Sequence, residues 1–152
     1  MRVPVSVSVA PGASLAGLQF RAMVQPQSGA PPLERPVEFE PTLANSTSVD
    51  RSVLPANEIA AAWSIVPAAF DTPLTGEARL GFVVFDVPAS APAGSVYAVD
   101  FANADGAPDL NTPYDFDATS AGVWVGAPAK PAVVPAGPVR GFKLTWFAEY
   151  GK

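Results

Sequence analysis

The chain has 152 residues, 49% of them hydrophobic and only 15% charged, with 18 Pro and 12 Gly; this composition excludes a disordered chain and describes one domain of short strands and turns, large enough to fold without a disulfide or metal. With no Cys and no His, it excludes disulfides, thiolate zinc sites and every Ser-His-Asp or Cys-His arrangement, leaving only carboxylates, lysine and tyrosine for any catalysis. The net charge of −5 is uneven, because residues 1–126 hold five Arg against thirteen Asp or Glu while 127–152 are net basic, so the body lacks the basic patch that nucleic acid requires.

The first element is "VPVSVSV" (3–9), where Val3, Val5, Val7 and Val9 alternate with Pro4, Ser6 and Ser8. A period of two puts the valines on one face of a half-buried strand. A strand beginning so early reads as a cut near a domain edge, with any secretion signal lying elsewhere in a larger protein. No apolar run approaches the ~20 residues of a membrane span. After the turn "APGAS", "LAGLQFRAMVQ" (15–25) alternates again, with Leu18, Phe20, Ala22 and Val24 opposite Gln19, Arg21 and Met23. A proline-rich loop (26–36) leads to "VEFEPTL" (37–43), with Val37 and Phe39 inward and Glu38 and Glu40 outward.

The polar stretch 44–57 reads as a loop carrying a formal glycosylation sequon, Asn45-Ser46-Thr47. "EIAAAWSIV" (58–66) has the alanines of a helix but the surrounding pattern of a strand, and we read it as a strand containing Trp63 and Ile65. "ARLGFVVFDV" (78–87) is apolar on both faces and so belongs in the middle of a sheet. "SVYAVDFAN" (95–103) alternates, with Val96, Ala98 and Asp100 opposite Tyr97, Val99 and Phe101. Residues 104–121 read as a long acidic loop and "GVWVG" (122–126) as a closing strand. Residues 127–138 read as a stiff Pro/Ala linker, and 139–152 as one more strand. Short strands at this spacing, with no persuasive helix, signal an all-β, two-sheet β-sandwich.

The stretch 76–106 resembles cohesin modules. These carry a strand of alternating apolar residues (here Gly81, Val83, Phe85 and Val87), an Ala-Pro-x-Gly turn (Ala91-Pro92-Ala93-Gly94) and a Tyr-containing strand (Tyr97). "VPVSVSV", "SLAGLQFRAMV" and "TSAGVWV" look like the first, second and last cohesin strands, so the likeness covers residues 3–126. It implies a jelly-roll sandwich of about nine strands and a non-catalytic binding or scaffolding module of a secreted bacterial protein, extracellular or at the cell surface. Its partner would be a protein such as a dockerin-like module. Jelly-roll carbohydrate-binding modules share the pattern and give the alternative function; a structural spacer is the third. The tail "FKLTWFAEYGK" resembles the first strand of a following small β-module.

Four groups of residues are candidate sites. If Gly81, Val83, Phe85 and Val87 face the core, then Leu80, Phe82, Val84 and Asp86 face out and form the partner-binding patch that the cohesin resemblance implies. Trp63, Tyr97 and Trp124 are candidates for a sugar-stacking platform, against the simpler reading of core packing. Asp105, Asp109, Asn111, Asp115 and Asp117 gather oxygen ligands of the kind calcium takes, but not at EF-hand spacing, and a solvated loop with Asx-turns accounts for them as well. Glu38 and Glu40, two apart on a strand, stand ~6.5–7 Å apart, a separation suited to an inverting glycosidase. Short loops leave no deep cleft around them, and the expectation is no enzyme and no cofactor.

Overall fold

The computed structural model describes residues 1–43, 54–63, 72–109, 111–114 and 116–126, and the backbone of 142–145. The described chain contains nine strands and no helix: β1 (Arg2–Ser8), β2 (Gly17–Gln27), β3 (Glu38–Pro41), β4 (Glu58–Trp63), β5 (Glu77–Val84), β6 (Val96–Ala107), β7 (Phe116–Ala118), β8 (Ala121–Trp124) and β9 (Phe142–Thr145). They form two sheets, ordered β3-β5-β1-β9-β7 and β4-β2-β6-β8. All pairings are antiparallel except β7 with β9. The odd-numbered strands make one sheet and the even-numbered strands the other, so successive described strands always lie in opposite sheets.

The alternating residues decide which face each strand buries. Val3, Val5 and Val7 of β1 and Val83 of β5 are buried from one sheet; Leu18, Phe20, Ala22 and Val24 of β2, Ile59, Ala61 and Trp63 of β4, and Tyr97 and Val99 of β6 are buried from the other, in a single core. β4 is a strand despite its alanines because Ile59, Ala61 and Trp63 bury on one side while the backbone pairs with β2 from Leu18 to Met23; tertiary pairing overrides helix propensity. Aromatic rings lock the layers. Phe39 of β3 meets Phe20 at 5.5 Å and Trp63 at 5.9 Å, both nearly edge-on, the geometry ring quadrupoles prefer.

Two expectations need correction. The stretch 104–121 is more than a loop: it holds the end of β6, all of β7 and the first residue of β8, and the Tyr114 N–H donates to the Gly106 carbonyl at 2.9 Å. Second, the alternation in 78–87 breaks at Leu80. Val5 faces Gly81 and Ser6 faces Arg79, so Leu80 is an extra residue, a β-bulge, and it is fully buried in the core. The extra strand in 139–152 is β9, which pairs with β1 through Ser6, Val7 and Ser8. The sequon at 45–47, Ile65, Asp115 and the 127–138 segment lie outside the described residues.

Candidate functional site

The outer face of the sheet containing β5 is not the open apolar patch the sequence suggests. Leu80 is inside, while Phe82 and Val84 are half-buried and Asp86 is exposed. The Arg2 guanidinium lies over the Phe82 ring at 4.3 Å and that of Arg79 at 5.6 Å, and Arg2 also pairs with Glu40 at 2.6 Å. Asp86 pairs with Arg35 at 3.1 Å. Pro4 and Ser6, which share this outer parity on β1, are buried as well. Glu38 and Glu40 are exposed neighbours on β3, with Glu40 paired to Arg2.

The three candidate stacking aromatics separate. Trp63 and Tyr97 are core residues, 1% and 0% exposed, because both sit on the inward parity of their strands. Trp124 is on the outward parity, opposite Val96 on β6, and is 37% exposed. Its indole lies across Gly122: a β-carbon at 122 would stand 2.8, 3.0 and 3.3 Å from ring atoms Cη2, Cζ3 and Cζ2. Glycine lets the ring lie down on its own strand, one face against backbone. β8 is the edge strand of its sheet, and the backbone beneath is held along its one paired side, by β6 and the residues that lead into it. Val96, Tyr97, Ala98 and Val99 pair with it, and beyond the strand Gly94 N–H donates to the Val125 carbonyl at 2.7 Å and Val125 N–H to the Ser95 carbonyl at 2.9 Å.

Ala98 faces Gly122 and Gln25, and Val96 faces Trp124 and Gln27. Farther along, Met23 and Asp100 and then Arg21 and Ala102 share this outer surface. Arg21 stands 3.4 Å from Glu58 of β4, whose Oε2 is buried.

At the other end the surface sinks into an open depression of about 470 Å³. Ala62 and Gln19 come from the sheet, Asp105 from β6, and Asp109, Asn111 and Thr112 from the segment that folds back over it. The Gln19 amide donates to Asp105 Oδ2 at 3.4 Å. Asp109 is a turn residue: its Oδ1 accepts the Asn111 N–H at 2.8 Å and its Oδ2 the Thr112 hydroxyl at 3.2 Å. These bonds, the Asn111 N–H foremost, hold its carboxyl below the usual carboxylate range. Such a group is committed to structure and stays ionised. Asp117 is exposed on β7, and among the described residues no three acids gather as a metal site.

Compared with known proteins, the chain matches no family model, no curated sequence and no solved structure. The sequence raised Trp124 through its parity against Val123 and Val125. It held no signal for the depression, which arises because Asp109, Asn111, Thr112 and Pro113 line it together with Gln19.

Proposed function

We propose that the chain is a non-catalytic recognition module, a cohesin-like jelly-roll sandwich from an extracellular bacterial protein, and that it binds polysaccharide on the outer face of β4-β2-β6-β8. The observation that carries this reading is Trp124, laid flat on Gly122 beside the small residue Ala98. A pyranose presents a flat face of C–H bonds, and the negative face of an aromatic ring attracts it. The ring is pre-placed on paired backbone, so little entropy is lost on binding.

The test is retention of the folded protein on insoluble cellulose, xylan and chitin. Trp124→Ala is expected to weaken retention about tenfold, ~1.4 kcal/mol. Gly122→Ala, which forces the indole off the strand, should weaken it in the same direction. Retention of wild type by none of the three, or equal retention of wild type and Trp124→Ala, overturns the reading.

A second reading keeps the cohesin-like role itself, with a protein partner such as a dockerin-like module on the β5 face. It is favoured by the two guanidiniums around Phe82, since a cation-rimmed aromatic offers an acidic partner both charge and contact.

A further inference from the structure

We infer that the ligand of this face is an uncharged, unbranched, β-linked glycan lying lengthwise along β2, stacked on Trp124 at one end and hydrogen-bonded in the Gln19–Asp105 depression at the other; this rests on the polysaccharide reading above. The two features belong to one surface. The row Gln27–Val96–Trp124 and the row Ala62–Gln19–Asp105 are opposite ends of the outer face of the same four strands. The eight residue-to-residue steps from Gln19 to Gln27 span ~27 Å of strand. One sugar ring cannot touch both ends, whereas a chain can. Only an extended chain follows a sheet face, and β-linked pyranoses with equatorial linkages form such ribbons.

The polar groups set the chemical class. In the depression Asp105 and Gln19 already share one hydrogen bond, and the remaining lone pairs of their Asp105 Oδ1 and Gln19 Oε1 atoms are acceptors. Acceptors beside a shallow floor of Ala62 and Gly106 suit sugar hydroxyls, which donate. At and next to the Trp124 end, Gln27 and Gln25 are exposed amides that both donate and accept.

Charge removes the acidic glycans. Glu58, Asp100, Asp105 and Asp109 line the path, while Arg21, the cation on the outer parity of β2, is paired with Glu58. A uronate or sulfate chain would meet like charge along its length and no free cation among these residues.

The experiment is calorimetric titration of the protein with cellobiose, cellohexaose and polygalacturonate, at low and high salt, for wild type, Trp124→Ala and the double variant Gln19→Ala/Asp105→Ala. All substituted residues are on the surface, and circular dichroism checks that each variant is folded. Cellohexaose is expected to bind wild type at least tenfold more tightly than cellobiose, with the same affinity at both salt concentrations and no binding of polygalacturonate. The double variant should lose about tenfold for cellohexaose and nothing for cellobiose, while Trp124→Ala weakens both. Equal cellohexaose affinity for wild type and the double variant, with Trp124→Ala still impaired, overturns the lengthwise path and leaves the stacking platform standing. Equal affinity for the two sugars does the same. Preference for polygalacturonate overturns the uncharged class. No binding of any saccharide by wild type removes the polysaccharide reading itself.

Discussion

The Tyr97 hydroxyl donates to the Pro31 carbonyl at 2.9 Å, from a ring that is fully buried and 5.9 Å from Phe85. It ties the proline-rich loop before β3 to the start of β6, across 66 positions of sequence. Burial first, and the negative charge of Glu34 second, push its pKa above the ordinary value, which is about 10. The folded protein therefore favours the neutral phenol. Its contribution is whole below pH ~10 and is lost as pH climbs through the raised folded value. Urea unfolding as a function of pH should show wild type losing stability above pH ~10 more steeply than Tyr97→Phe. At neutral pH the same variant should be weaker by about 1 kcal/mol, since the Pro31 carbonyl loses its donor. Parallel alkaline curves for the two proteins would refute the assignment.

At the scale of strands, the β5 bulge and the glycine after it work together. The bulge turns Leu80 inward, and Gly81 follows it opposite Pro41 of β3. A β-carbon at 81 would run into the Glu40 carbonyl and the end of the Phe39 ring. Phe39 occupies that space because it must reach Phe20 and Trp63 across the core. Gly81→Ala is thus an overpacking change at a site bounded by backbone and is expected to cost about 2–3 kcal/mol in chemical denaturation. A loss well under 1 kcal/mol would mean that β3 yields easily. This neighbourhood also marks how far the sequence could be read. Period-two patterns suffice to tell which side of β1, β2, β4 and β6 meets the core, because a one-residue slip would turn the wrong set inward; they do not tell that Pro4 and Ser6 on the outer side of β1 are covered too. They fail at Leu80, where a bulge adds a residue and reverses parity, so that Leu80 leaves the predicted outer row for the core while Phe82, Val84 and Asp86 stay on the outer side. They miss β7, a three-residue strand in an acidic stretch whose partner, β9, is far away in the chain. They bring Trp124 to the outer face but cannot tell that Gly122 exists to lay its ring down.

For the whole molecule, the alternation of strands between sheets has a kinetic consequence. No two successive described strands pair with each other, so among the described strands there is no hairpin from which folding can start locally. The longest partnership joins Gly17–Gln27 of β2 to Val96–Ala107 of β6, and the intervening chain must be closed before it forms. Loop closure is paid before the contacts repay it, and domains with such non-local pairing fold in ~1 ms to seconds. The 18 prolines add a second delay. A fraction of each X–Pro bond relaxes to cis in the unfolded chain and returns over ~10–100 s at 25 °C. Stopped-flow refolding from urea should therefore give a main phase no faster than milliseconds and a slow phase that a prolyl isomerase accelerates. In interrupted-unfolding experiments, chains refolded after the briefest exposure to denaturant should lack the slow phase, because their prolines have had no time to isomerise. Refolding on the microsecond scale would mean that some local unit carries the nucleus, and that the long-range pairing of β2 with β6 follows folding instead of limiting it.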